Sequence, residues 1–233
     1  MQSDIGVMLD ELKIVLPGLS DKQYGRFAVY YEMLIDYNMR INLTAITDPV
    51  DVARKHFADS AAAISLIPQG ASCIDVGTGA GFPGLPLLIL RPDIKLTLLD
   101  SLNKRIAFLQ AVVDQIGLAA KFIHARAEDA GHENSFRERF DIALSRAVAP
   151  ANVLLELTLP FVNVGGASLM YKGPQAQEEM QCSQVAAKKL CSAISLVECP
   201  SEWGERNCIV ATKLRKLPPS YPRKPSAIKK KPL

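Results

Sequence analysis

The chain is poor in the residues that build metal centres and disulfide frameworks. Its three histidines (His56, His124, His132) are scattered, and its five cysteines (Cys73, Cys182, Cys191, Cys199, Cys208) form an odd set without a C-x-x-C pair. No zinc or iron–sulfur site is expected, and the thiols should be reduced and mostly buried. No apolar run approaches the ~20 residues of a membrane span, and the first residues, MQSDIGVMLDELK, carry acids where a secretory signal would be basic. A cytoplasmic protein is therefore expected. Internal repeats are lacking as well. Acidic residues are missing from one segment in particular: 213–233 holds eight basic side chains (Lys213, Arg215, Lys216, Arg223, Lys224, Lys229, Lys230, Lys231) and no Asp or Glu.

Over the whole chain 27 Lys and Arg face 24 Asp and Glu, so the remainder carries an excess of acid and the C-terminal segment is the basic element. That segment also contains Pro218, Pro219, Pro222, Pro225 and Pro232, which disfavour helix and central strand alike. It reads either as a solvated tail or as a grip on a phosphate backbone, which needs cations but no fixed fold. With 233 residues, 48% of them hydrophobic, the chain can bury one substantial core and an appendage.

Residues 1–68 read as a helical extension, because apolar residues recur at three- and four-residue spacing: Val7, Leu9, Leu12, Val15 and Leu16, then Phe27, Tyr30, Tyr31, Leu34 and Ile35. Ser20 or Asp21 can cap the second helix, and Asp48 with Pro49 can start a third. The polar residues Asn38, Arg40, Asn42, Arg54, Lys55, His56 and Asp59 either edge a site or face water; the solvated reading is favoured, with His56 as a structural hydrogen-bonding residue. From Ser72 strands and helices alternate. The pattern predicts strands at 73–76, 95–99, 121–124, 142–144, 167–171, 194–198 and 208–213, with helices at 84–90, 101–116, after Pro150 and at 175–190. The α/β alternation over 69–213 implies a mainly parallel seven-stranded sheet with helices on both faces and ligands beyond the strands' carboxyl ends; 214–233 is the basic tail.

The chemistry concentrates in SCIDVGTGAGFPG, 72–84. An apolar strand ends at Asp75 and opens into Gly77, Gly79, Gly81 and Gly84, a tight turn that lets a backbone approach a nucleotide-like ligand. Asp100 closes the next strand, 23 residues after Gly77, where an acid can hold ribose hydroxyls. A dinucleotide fingerprint would need glycine where Phe82 stands. The D-x-G-x-G-x-G pattern instead resembles motif I of the class I S-adenosylmethionine (SAM)-dependent methyltransferases, which have a Rossmann-like fold.

More specifically, NLTAITDP with KHFADS, DVGTGAGFPGLPL, LLDSLNKRIAFL, ARAED, SRAVA, YKG and YPRKP, in that order from about Asn42 to Pro225, resemble the bacterial glucose-inhibited division protein B family. These are the small-subunit rRNA guanine-N7 methyltransferases. The resemblance implies methylation of one guanine in the 530 loop of 16S rRNA, with naked rRNA or the 30S subunit as partner. It also implies cofactor contacts at Gly77, Phe82, Ala127, Glu128 and Arg146, with Asp100 near the ribose and Asp75 and Gly79 completing the loop.

The residues agree by omission. The [D/N/S]PP[Y/F/W] motif of exocyclic-amine methylation is replaced by SRAVAP (145–150), and no cysteine nucleophile for C5 methylation is expected near the ends of strands four and five. Guanine N7 carries a free lone pair and needs neither base nor nucleophile, so no catalytic residue is assigned. Arg146 is expected to bind the SAM carboxylate, a phosphate or guanine O6, or else to sit in an ion pair with Asp141 or another acid. Lys104, Arg105, Lys172 and Arg206 are candidates for a basic rim. A methyltransferase of proteins or small molecules and a non-catalytic RNA-binding assembly factor are the alternatives, and a monomer is the default.

Overall fold

Apolar spacing produces the two leading helices, α1 (Gln2–Val15) and α2 (Asp21–Ile41), in the computed structural model, which describes residues 2–199 and 201–233. Ser20 caps α2 in a reciprocal capping box with Gln23. Asp48 caps and Pro49 begins α3 (Pro49–Val52), which runs through a π-helical turn at Ala53–Ala58 into α4 (Asp59–Ala61). Such π turns often mark functional positions; this one aims Lys55, His56 and Asp59 along one edge of the domain. Met8, Leu12, Phe27, Tyr30 and Leu34 are fully buried, so the extension shares the main core.

The sheet follows as β1 (Ser72–Val76), β2 (Lys95–Asp100), β3 (Lys121–His124), β4 (Phe140–Arg146), β5 (Val162–Lys172), β6 (Ser192–Cys199) and β7 (Arg206–Lys213). Its order is β3-β2-β1-β4-β5-β7-β6, and β7 alone runs antiparallel, to both β5 and β6. Side chains alternate between faces. Cys73, Leu96, Leu98, Ile142, Leu144 and Leu169 meet the N-terminal helices, α5 (Gly84–Leu90) and α6 (Asn103–Ile116). On the other face Ile74, Val76, Leu99 and Ala143 pack near α7 (Ala127–Ala130), and Met170, Ile209 and Ala211 pack on α8 (Ala151–Thr158) and its neighbours. The chain direction of the connections reverses between β1 and β4, which opens the ligand crevice of doubly wound sheets at their carboxyl ends.

The structure lengthens β4, placing Ser145 and Arg146 on the strand itself, and starts β5 at Val162. Gly165 and Gly166 break the apolar pattern there, yet Gly166 is required, since a Cβ on it would lie 2.5 Å from the Asp141 carbonyl oxygen. The predicted helix at 175–190 is two helices, α9 (Ala176–Cys182) and α10 (Gln184–Lys189), broken where the Ser183 hydroxyl donates to the Glu179 carbonyl.

The C-terminal segment is packed and partly helical, contrary to the proline-based expectation. Pro225 takes the first helical position of α11 (Pro225–Lys230), where its missing N–H costs nothing. Ile228 is buried beside Ala127 and Ala130. Arg223 makes a two-pronged pair with the fully buried Glu156 at 2.8 and 2.6 Å. Lys213 is not part of any cationic surface: its ammonium is buried and bonded to the carbonyls of Leu159 and Val162 and to Glu138. Among the described residues no helix is long and apolar enough to cross a membrane.

Candidate active site

The glycine loop is held from both ends. Asp75, fully buried, accepts from the Thr78 hydroxyl at 2.7 Å and the Gly84 N–H at 3.0 Å, tying the start of the turn to the start of α5. Burial pushes its carboxyl up to about 6, and Oδ1 has no partner among the described residues, a polar atom left over at the carboxyl end of β1. Gly79 N–H donates to Asp100, while Gly77 and Thr78 N–H donate to the Leu99 carbonyl. From the extension, the Tyr30 hydroxyl donates to the Ala80 carbonyl, and a Cβ on Gly81 would lie 2.6 Å from that hydroxyl. Helix α2 therefore shapes the loop directly.

Above the loop lies a cavity of about 300 Å³ whose walls include Gly77, Asp100, Arg105, Ala127, Glu128 and Ala147. Gly77 has φ +71°, and a Cβ there would come within 2.9 Å of Val148, so only glycine keeps this wall open. Carboxylates at Asp100 and Glu128 and an apolar floor at Val76, Leu99 and Leu157 suit a ligand with ribose hydroxyls, a cationic group and a flat base. SAM has that donor set, and these residues fit it.

A second cavity, of about 430 Å³, opens beyond β4, β5 and β7 and shares Ala147 with the first. Ala147 holds φ +56°, rare for a residue with a Cβ and a conformation that clusters at functional sites. Arg146 dominates this cavity. Its guanidinium lies over the Phe82 ring, 5.0 Å from the centroid, and donates to Asp59 Oδ2 (3.3 Å), the Lys55 carbonyl (3.2 Å) and His56 Nδ1 (3.2 Å). His56 stacks on Phe82 at 4.3 Å between ring centroids. Burial, then the Arg146 charge, lower its pKa to about 3, so it stays neutral, with Nε2 bonded to the Thr44 hydroxyl. Asp59 also accepts from Arg206 Nε at 2.6 Å and faces the indole N–H of Trp203 at 3.5 Å.

The residues singled out in the sequence thus divide. Gly77, Asp100, Ala127 and Glu128 come together around the first cavity, whereas Asp75 and Gly79 build the loop beneath it. Phe82 lies behind the loop as a stacking floor for His56 and Arg146, and Arg146 faces the second cavity, paired with Asp59 and not with Asp141. Asp141 is engaged by Ser72 and Asn163. The basic rim is mostly neutralised: Arg105 pairs with Asp100, Lys172 with Glu179 and Arg206 with Asp59. Of the polar residues at 38–59, Arg40 and Arg54 are spent on Asp36 and Glu11, while Lys55 and Asp59 line the second cavity, against the solvated expectation; His56 lines it too, as the hydrogen-bonded residue expected. Cys199 lines that cavity too, correcting the expectation that no cysteine comes near. Burial raises its pKa, and its thiol points to the Val197 carbonyl, so it is not an activated nucleophile. Tyr171 was marked only by the YKG motif, and Glu179 and Asn207 carried no sequence signal, because α9 and the pairing of β7 with β5 bring them to the same place.

The family model described as rRNA small subunit methyltransferase G, GidB, matches residues 23–208. The chain belongs to this family. A family relative from Alkaliphilus metalliredigens, named ribosomal RNA small subunit methyltransferase G, is 44% identical over 92% of both chains. Solved structures more distant than the family share the fold: a methyltransferase from Pyrococcus furiosus (TM-score 0.56, 14% identity, 82% of this chain and 99% of that one). A second is M. jannaschii TYW2 in complex with AdoMet (TM-score 0.53, 12% identity, 66% of this chain and 73% of that one). The family match includes the extension from Gln23 onward, the helix that pins the glycine loop.

Proposed function

We propose that this member of the family transfers the methyl group of SAM to N7 of a guanine in the 530 loop of 16S rRNA. The observation that carries the reading is a pair of cavities that share Ala147: a glycine-walled one suited to SAM and a second, edged by Arg146 and Asp59, large enough for an extruded base. Bound SAM supplies a methyl group on a positively charged sulfur. Guanine N7 presents a free lone pair to such a group, so its methylation would move no proton and require no general base. The protein's task is alignment and exclusion of water, a contribution worth up to roughly 7–11 kcal/mol.

Gly77, Asp100, Ala127 and Glu128 hold the cofactor, Asp75 and Gly79 keep the loop in shape, and Phe82 and His56 fix the Arg146 guanidinium at the border between the cavities. The neutrality of His56 and the pairing of Arg146 with Asp59 limit positive charge where the guanine becomes cationic. The target base must leave its stack to enter. Exposed Lys224, Lys229, Lys230 and Lys231 on the packed C-terminal segment supply cations for the RNA backbone. The test is incubation with methyl-labelled SAM and naked 16S rRNA or 30S subunits, followed by nucleoside analysis. Label is expected in 7-methylguanosine; label in no rRNA nucleoside under either condition overturns the reading.

A further inference from the structure

We propose that Asp59 and Arg146 together read the guanine edge that carries O6 and N1–H, making Asp59 the residue that selects guanine over other purines in the second cavity. The inference rests on the guanine-N7 reading above and names how that site recognises its base. Guanine presents an acceptor (O6) beside a donor (N1–H), while adenine presents a donor (N6) beside an acceptor (N1). Complementing guanine takes a donor beside an acceptor. Arg146 and Asp59 are bonded to each other through Nη1 and Oδ2 at 3.3 Å on the wall of the 430 Å³ cavity, which holds a guanidinium and a carboxylate side by side, and their side chains are 13% and 10% exposed. A base entering there meets them with little water in competition.

Both groups have capacity left. The Arg146 bonds are two from Nη1, to Lys55 and Asp59, and one from Nη2, to His56, which leaves a second Nη2 N–H for O6. Asp59 Oδ1 is taken by Arg206 and Trp203, but among the described residues Oδ2 accepts only from Arg146 and keeps a lone pair for N1–H. Arg206 is thus a positioning residue: its 2.6 Å bond fixes the carboxylate plane. Arg146 is similarly fixed by the Phe82 ring below and His56 beside it. Adenine would set its amino group against the guanidinium and its bare N1 against the carboxylate, leaving buried polar groups unpaired on both sides. Ala147 follows Arg146 directly and lines both cavities, so this pair stands on the side of the second cavity that borders the first.

The test uses semi-synthetic 16S rRNA carrying guanine, inosine or 2,6-diaminopurine at the target position, and wild-type and Asp59→Asn protein. All three bases keep N7; inosine retains O6 and N1–H, and diaminopurine reverses them while keeping the 2-amino group. Wild-type protein should methylate guanine and inosine comparably and diaminopurine at least tenfold less, the scale of one well-made two-point contact. Asp59→Asn, whose amide can donate as well as accept, should cut the inosine-to-diaminopurine ratio by about tenfold. The ratio is internal to each preparation and independent of the fraction folded. Should Asp59→Asn fail to fold, Arg206→Gln, which loosens the same carboxylate, must also lower the ratio. Comparable use of diaminopurine and inosine by the wild type, or an unchanged ratio in a folded variant, overturns the assignment while leaving guanine methylation intact. Absence of N7 label on guanine with wild-type protein overturns the underlying reading instead.

Discussion

Replacing His56 by glutamine should flatten the pH dependence of stability between neutral and mildly acidic pH. The imidazole is 8% exposed, stacked on Phe82, and takes the Arg146 guanidinium on Nδ1. Burial and that positive charge bring its pKa from 6.5 to about 3 in the folded protein. As pH falls through 6.5 the unfolded chain binds a proton at this position and the folded chain does not. Stability from His56 is therefore complete above 6.5 and lost progressively as pH falls toward 3. Between about pH 7 and pH 5 the loss from this one group is about 2 kcal/mol, set almost wholly by the unfolded value. Asp75 works in the opposite sense: its raised pKa gives stability that is full below 3.8 and fades as pH rises through about 6. Because Asp75 titrates in both proteins, it cancels in the comparison. Urea unfolding of wild type and His56→Gln across this range isolates the term, whatever constant offset the lost stacking adds. Parallel stability-versus-pH curves would show that His56 is not held neutral, and with it would go the account of how charge is limited beside Arg146.

Gly77→Ala forces a side chain into φ +71° and to within 2.9 Å of Val148, so SAM affinity measured by calorimetry should fall about tenfold or more. Arg223→Ala removes the guanidinium from the carboxylate of Glu156, 0% exposed, leaving it only the backbone N–H of residue 223, and should cost roughly 3 kcal/mol in urea unfolding; a loss within experimental error would mean the C-terminal segment does not pack on α8. Alkylation of the native protein followed by peptide mapping should label exposed Cys182 first, while Cys73, pushed up to about 12, and Cys208, raised further by burial, stay unmodified until unfolding.

Much of this protein was legible in its residues. Local rules determined the elements: apolar spacing for α2, the Ser20 and Asp48 caps, the glycine turn after Asp75, and the alternation that yields a mainly parallel sheet. They also located two walls of the first cavity, Gly77 and Asp100, because each stands at a strand's carboxyl end, whereas Ala127 and Glu128 were marked only by the family resemblance. The second cavity was not legible. It is assembled from a π turn at 53–58, the end of β4, and the antiparallel pair β5 and β7, and no local pattern records that Asp59 lies against Arg146 and Arg206, 87 and 147 residues away. For the same reason the sequence marked Lys213 and Arg223 as members of a basic tail, and only packing showed both as partners of carboxylates. Charge sign and periodicity are properties of the chain, and they sufficed for the fold and the methyl-donor loop. Whether a cation meets water, an acid or a substrate depends on which distant segment burial brings beside it, and that was decided only in three dimensions.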